Sequence, residues 1–433
     1  MIEDTIDGLA RALAAPRSRR GTAGIVAGGL MAALGLDADA KRRGRQSARK
    51  KGSGKGKGNR RGKRPKPCPA GTKRCGKACI DVQSDPANCG ACGRTCGAGD
   101  VCTGGTCGPL PPAGPSFTVS GRTIRDAAGK PVVLRGVNKM SVFDDEDPRG
   151  AISFPEIRKT GANTVRIVWG ITSNLAPNGP KTNPDVLDAL IGNARSSGLV
   201  PMIELHDATG DWSRLDSLVN YWVQPRIVSI IQKHREYLLV NIGNEVGDDT
   251  VSDAQFTQRY TAAVQRMRGA GIRTPLVIDA PDWGKRLTTL NATAAALLDA
   301  DPDRNLIFSV HMYWPANGGA TQQFIKDALQ GAVNANYPLI VGEFASHGAF
   351  NPNGSICAEG GRVEYKTILA ETQRHGIGWY AWEWGPGNGF NDPLCALMDM
   401  TTNRRFDSLQ PGWATEVATT DPNSIKNTAT SVF

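Results

Sequence analysis

Nowhere does this 433-residue chain carry a hydrophobic run long enough to cross a bilayer. Its longest small-and-apolar stretch, Gly21 to Leu36, has 16 residues, where a spanning helix needs about 20. A stable membrane span is therefore not expected. Residues 1–40 read as an export signal: Arg17-Ser-Arg-Arg20 is the basic front and Ala38-Asp-Ala40 fits a small-x-small cleavage site. The Arg19-Arg20 pair resembles a twin-arginine signal, although bulky apolar residues do not follow it; an uncleaved amphipathic anchor is the alternative. Acidic residues are missing from 41–67, which hold 14 Lys and Arg. Residues 68–433 carry 33 basic and 36 acidic residues, so the chain's net charge of +10 belongs to one segment and not to a folded face. No nucleic-acid partner is expected. Residues 41–67, a disordered basic linker, read as a solvated tether or as an adhesive for anionic cell-wall polymer, which salt would weaken.

Histidine is absent around the cysteines of 68–107, which argues against zinc at Cys89-x2-Cys92. Eight of the ten cysteines fall in that stretch, which has too few large apolar groups to hold a core unaided. It reads as a disulfide-stapled module in an oxidising compartment, with the pairing left open. Asp85 to Cys96 resembles cysteine-rich repeats of secreted bacterial proteins, and a spacer role is expected. Residues 108–116 form a stiff Pro-rich linker.

A Gly-rich phosphate loop is missing too: Arg135-Gly-Val-Asn138 follows the first strand-like run, which argues against a doubly wound nucleotide-binding sheet. Residues 117–433 read as one catalytic domain. Phe117 to Val133 is expected to form a hairpin turning at Asp126–Lys130, closing the floor of a barrel. Eight strand-like runs follow, at 132–137, 164–168, 200–205, 237–242, 275–279, 306–310, 338–341 and 377–382. Amphipathic stretches at 185–196, 255–268, 321–334 and 361–375 separate several of them. Eight βα units in this length indicate α/β architecture, a (β/α)8 TIM barrel.

Two of these runs stop at an acid: Gly243-Asn244-Glu245 after the fourth and Gly342-Glu343-Phe344 after the seventh. In such a barrel these positions face one mouth, and two carboxyl groups across a cleft are what glycosidic hydrolysis requires. A lone Glu ending a strand is usually a cap or a surface ion pair. Here Arg166, His206, His311, Tyr313 and Trp382 fall on the same rim. Retention of configuration needs the carboxyls about 5 Å apart, Glu343 ionised as nucleophile beside Arg166 and the Tyr313 hydroxyl, and Glu245 kept protonated in drier surroundings as acid and then base.

At these residues the sequence resembles glycoside hydrolase family 5, retaining (β/α)8 glycosidases. The resemblance implies an eight-residue active-site set at Arg166, His206, Asn244, Glu245, His311, Tyr313, Glu343 and Trp382, and covers about residues 117–415. Asn244 would bond the sugar 2-hydroxyl, and the two histidines would place polar groups around the reacting ring. Arg135-Gly-Val-Asn-Lys-Met140, Leu205 to Gly210, Val277 to Ala280 with Trp283-Gly284, Phe308 to Tyr313 and Ile340 to Phe344 resemble bacterial endo-β-1,4-mannanases of that family. The loop Trp382-Glu-Trp-Gly-Pro-Gly-Asn388 departs from their wording.

Flat indoles stack on pyranose faces. Trp382, Trp283 and Trp314, with Trp169, Trp212 and Trp384, are expected to bind sugar; Trp222 and Trp379 are expected in the core, and Trp413 is left open. His347, Asp207 and Asp211 are expected near the cleft. Cys357 and Cys395 are expected to pair, and neither a cofactor nor a catalytic metal is implied. The sequence thus indicates a secreted, monomeric endo-β-1,4-mannanase acting on polysaccharide, wall-associated if residues 41–67 act as the adhesive. A β-1,4-glucanase of the same mechanism is the near alternative, and a non-catalytic wall-polysaccharide-binding protein the distant one.

Overall fold

The structure is a computed structural model that describes residues 68, 73–76, 78–80, 82–83, 88–97, 100–109, 114–171, 182–348, 361–388 and 393–433. The expected export signal, the basic linker and Cys357 lie outside the described residues. The cysteine-rich segment contributes two small antiparallel pairs, Lys73–Cys75 with Ala78–Ile80 and Asp100–Thr103 with Thr106–Pro109. Disulfides Cys75–Cys92, Cys89–Cys102 and Cys96–Cys107 staple it. Cys395 is also disulfide-bonded.

Eight parallel strands close into a barrel. They are β1 (Arg135–Lys139), β2 (Thr164–Trp169), β3 (Val200–Leu205), β4 (Leu239–Asn241), β5 (Leu276–Asp279), β6 (Leu306–His311), β7 (Leu339–Glu343) and β8 (Gly378–Ala381). The helices between the strands are α1 (Ser153–Arg158), α2 (Pro184–Ser196), α3 (Leu215–Trp222), α4 (Pro225–His234), α5 (Asp253–Gly269), α6 (Leu287–Ala300), α7 (Gln322–Ala335) and α8 (Tyr365–His375), and short helical turns at Trp413–Thr415 and Ile425–Thr428 follow β8. Several begin where side chains can take the orphan N–H groups or where proline needs none: Asn183 caps α2, Ser252 and Gln255 form a reciprocal box on α5, and Pro225 opens α4. Among the described residues no helix is long and apolar enough to cross a membrane.

Alternation along the strands sorts the core into two clusters. Val137, Val165, Ile167, Ile203, Leu205, Val240, Ile278, Phe308 and Val341 face outward into the helical layer. Leu134, Val200, Met202, Leu239, Val277, Ile307, Ile340 and Tyr380 fill the barrel's lower interior. Two residues further along the inward row, the apolar filling gives way to the buried polar groups Arg166, Glu204, Asn241, Asp279 and Ser309. The floor is closed by Phe117, Ile124 and Val132.

Two expectations are corrected and one is extended. The hairpin expected around 126–130 is present, with Arg125 bridging Pro131 and the Asp126 N–H donating to the Lys130 carbonyl at 2.9 Å, and a further turn at Gly121 pairs Thr118–Ser120 with Thr123–Arg125. Gly121 (φ +56°) permits that tight reversal, while Asp126 organises a second turn by accepting from the N–H groups of Ala128 and Lys130. β1 starts three residues later than expected, because Val132 and Leu134 belong to the floor. β8 ends at Ala381, so Trp382 stands just beyond the strand.

Candidate active site

Three side chains meet above the barrel interior. One oxygen of Glu245, one of Glu343 and a ring nitrogen of His311 all lie within 4.8 Å of one another. The convergence depends on a local irregularity. The register between β6 and β7 shifts after Val310, so that His311 pairs with Glu343. Such a bulge re-aims a side chain, here into the mouth. Glu245 follows β4 in left-handed backbone (φ +47°), rare for a residue with a Cβ. Its N–H donates to Asp279 Oδ2 at 3.1 Å and its carbonyl accepts from Gly210 at 2.8 Å, which together hold that conformation.

Arg166 organises the Glu343 side. Its guanidinium donates to Glu343 Oε1 (2.6 Å), Asn138 Oδ1 (3.0 Å), Asn241 Oδ1 (2.9 Å) and Asn244 Oδ1 (2.8 Å), and lies 3.4 Å from Asp279 Oδ2. Burial opposes its charge, but Glu204, Glu343 and Asp279 outweigh that and hold it protonated. Tyr313 donates its hydroxyl to Glu343 Oε2 at 2.9 Å. Burial and the neighbouring glutamates push this phenol far up, so it stays a donor. Both oxygens of Glu343 are therefore engaged, one by a fixed cation, which disfavours a metal ion there.

Glu245 is placed differently. Its Oε1 contacts His311 Nδ1 at 2.7 Å, and its Oε2 has no hydrogen-bond partner among the described residues. Burial and the charge of Arg166 pull His311 well below its ordinary value, so that ring is neutral. Burial raises both glutamates above the usual carboxylate range. Arg166 and His206 pull Glu343 back, whereas Glu343 and Asp279 push Glu245 further up. The proton accordingly resides on Glu245 while Glu343 ionises.

The imidazole of His311 is fixed between two glycines. A Cβ on Gly342 would lie 2.8 Å from its Nε2, and one on Gly284 would lie 2.7 Å from its ring. His206 bonds Glu204 Oε1 through Nδ1 at 2.9 Å and lies parallel to Trp382, with centroids 6.0 Å apart. Trp382 packs with Met140, Val142, Val168 and Tyr313.

All eight residues implied by the resemblance thus lie on one rim. Trp283 is half-buried beside Gly210, where an added Cβ would come within 2.3 Å of the indole nitrogen. Trp314 is a correction: it is buried in the outer core, packed edge-on against Phe324 of α7. Trp169 and Trp384 are also fully buried, their indole N–H groups given to Tyr221 and to the Arg404 carbonyl. Trp212 lies half-buried on Phe256 under Arg259. Trp222 and Trp379 are in the core as expected. Sequence reasoning missed Asn138, Glu204, Asn241 and Asp279. For Glu204, Asn241 and Asp279 the signal was parity, since each occupies the inward row of an otherwise apolar strand; Asn138 stands in the polar strand Arg135–Lys139 and carries no such signal.

The profile of the cellulase family (glycosyl hydrolase family 5) matches residues 125–388. That of the stigma-specific STIG1-like protein family matches 55–109, the cysteine-rich segment and its flank. A mannan endo-1,4-beta-mannosidase of Cellvibrio japonicus is 33% identical over 325 residues, covering 73% of this chain and 69% of that one. The beta-mannanase of Streptomyces thermolilacinus, solved with mannohexaose, superposes with a TM-score of 0.62 at 28% identity, over 73% of this chain and 97% of that one. The mannohexaose complex of Thermomonospora fusca beta-mannanase gives 0.61 at 30%, over 73% and 98%.

Proposed function

Because this chain belongs to glycosyl hydrolase family 5 and is a glycoside hydrolase, we propose that it cleaves internal β-1,4 bonds of mannan by double displacement. The observation that carries the mechanism is the Glu245–Glu343 pair, with oxygens within 4.8 Å, too close for a water to act between nucleophile and sugar. Glu245, through Oε2, gives its proton to the glycosidic oxygen as Glu343 attacks the anomeric carbon. The leaving chain departs with that proton, and a glycosyl ester forms on Glu343. Glu245, now a carboxylate, takes a proton from a water molecule. The water oxygen attacks the same carbon as the ester bond to Glu343 breaks, so the β configuration returns. Arg166 and Tyr313 keep Glu343 anionic in the first step and stabilise it as leaving group in the second. Asn244, oriented by Arg166 and donating to Thr209 Oγ1 at 2.9 Å, faces the 2-hydroxyl. Trp382 and Trp283 supply sugar platforms.

Mannan is favoured over glucan because the relatives above are named for mannan. A weaker relative, 28% identical, is named beta-mannanase/endoglucanase A and keeps β-1,4-glucan as the second reading. Reducing-sugar release from galactomannan and from carboxymethyl cellulose decides between them: mannan cleavage is expected, and activity on cellulose alone refutes the assignment. Glu343→Gln abolishes release if Glu343 is the nucleophile, and full activity of that variant refutes that role; a parent that binds mannan but releases no sugar returns the protein to a binding role. The disulfides Cys75–Cys92, Cys89–Cys102 and Cys96–Cys107 of the cysteine-rich segment support secretion.

A further inference from the structure

Beyond the catalytic pair, an uncommon arrangement stands behind Trp382. Its indole is 2% exposed and lies among Met140, Val142, Val168, Tyr313 and Ala345. Apolar contact is non-directional and leaves the rotation of a flat ring weakly fixed. The one directional handle on the indole is its N–H, which donates to Asn388 Oδ1 at 2.9 Å. The Asn388 amide is itself oriented. Its Nδ2 donates to Asp399 Oδ1 at 2.8 Å, and its backbone N–H donates to the same oxygen at 3.1 Å. The Gly387 N–H donates to both Asp399 oxygens at 3.2 Å. A flipped amide would turn its NH2 toward the indole N–H and its carbonyl toward the carboxylate, so only one orientation satisfies every group.

The frame is closed on the other side. The chain pairs across it by Glu383 N–H to the Met398 carbonyl (3.1 Å) and Met400 N–H to the Glu383 carbonyl (2.8 Å). Glu383 Oε1 lies 3.5 Å from Asn388 Nδ2, and Oε2 accepts from the Met140 N–H at 3.2 Å. Burial and Asp399 push Glu383 up to about 8, so at neutral pH Glu383 is mostly protonated. A Cβ on Gly387 would come within 2.5 Å of Met140 Cε, which leaves this stretch little room to shift.

We propose that Asn388, set by the Asp399 carboxylate, is a positioning residue that locks the Trp382 indole at the angle needed to receive the sugar at the cleavage point. The proposal rests on the sugar-platform role given to Trp382 above. It explains how the loop Trp382 to Asn388, worded differently from the mannanases it resembles, presents that ring by its own means.

Two readouts on the full chain test it. The indole N–H resonance of Trp382, identified by its loss in Trp382→Phe, should exchange slowly with solvent in the parent and about tenfold faster or more in Asn388→Ala. Asn388→Ala should raise KM for galactomannan about tenfold, the worth of one buried hydrogen bond, with kcat within about threefold. Placed on Trp382→Phe, Asn388→Ala should raise KM no further. Exchanging the pair, Asn388→Asp with Asp399→Asn, keeps an acceptor for the indole and a donor between the two side chains, and should restore slow exchange and KM. Unchanged exchange in Asn388→Ala, additive effects on KM, or loss of kcat with KM unchanged would overturn the proposal. If Asn388→Ala does not fold, the exchanged pair and Asp399→Asn decide the matter in its place: the lock requires slow exchange in the former and faster exchange in the latter. A parent that cleaves no mannan refutes the functional reading, while the exchange measurement still decides whether Asn388 locks the ring.

Discussion

Two donors meet one carboxylate at Glu343, and that imbalance underlies the roles proposed for the pair. Burial raises its pKa, with Arg166 and His206 the chief opposing influences and the Tyr313 hydroxyl a further one. Removing that hydroxyl removes a bond that favours the ionised form, so the Glu343 pKa rises. In Tyr313→Phe the acid limb of kcat/KM should therefore move to higher pH by roughly 1 unit, the worth of a hydrogen bond to a charged group. A limb that stays, or moves to lower pH, contradicts the assignment. At this scale the sequence was most legible where a polar or aromatic residue ends or follows a strand: His206, Glu245, His311, Tyr313 and Glu343 all stand on the expected rim, joined by Arg166 from within β2. It was least legible inside strands. Glu204 and Asp279 sit among Val, Met and Ile, where a polar residue reads as noise until barrel closure turns its row inward. Tryptophan carries the same ambiguity, since strand-end indoles served the core at Trp169, Trp314 and Trp384.

Between elements, the site depends on glycine where β7 passes β6. A Cβ on Gly342 would sit 2.3 Å from Ser309 Oγ and 2.8 Å from His311 Nε2. The serine can rotate, but the ring is backed by Gly284 and has nowhere to retreat. Gly342→Ala should displace the imidazole from its 2.7 Å contact with Glu245 and lower kcat about 100-fold, with thermal stability reduced only modestly. Wild-type kcat in a folded Gly342→Ala protein would show that the His311 position is unimportant. Strand order and number could be read from eight β-rich runs. The bulge after Val310 and the early end of β8 could not, because register is set by the neighbouring strand and not by propensity. The hairpin around Asp126-Ala-Ala-Gly-Lys130 was legible from its turn residues, while the tighter turn at Gly121 before it was not.

For the molecule as a whole, catalysis belongs to the barrel. The solved beta-mannanases cited above match this chain over 97–98% of their own length, so a barrel of this kind stands without the cysteine-rich segment. A chain starting at Gly114 should keep kcat on soluble mannan within about twofold, because none of the site residues precedes β1. If residues 41–67 act as an adhesive, the same truncation should abolish salt-sensitive retention on anionic cell-wall polymer; a drop in kcat would place the module in the catalytic machinery. The most direct test of the account is the anomer first released from a manno-oligosaccharide, followed by proton NMR before mutarotation. A carboxylate pair this close, one member protonated and the other beside Arg166, predicts the β-anomer. Initial release of the α-anomer would mean inversion, and would contradict the roles given to Glu245 and Glu343.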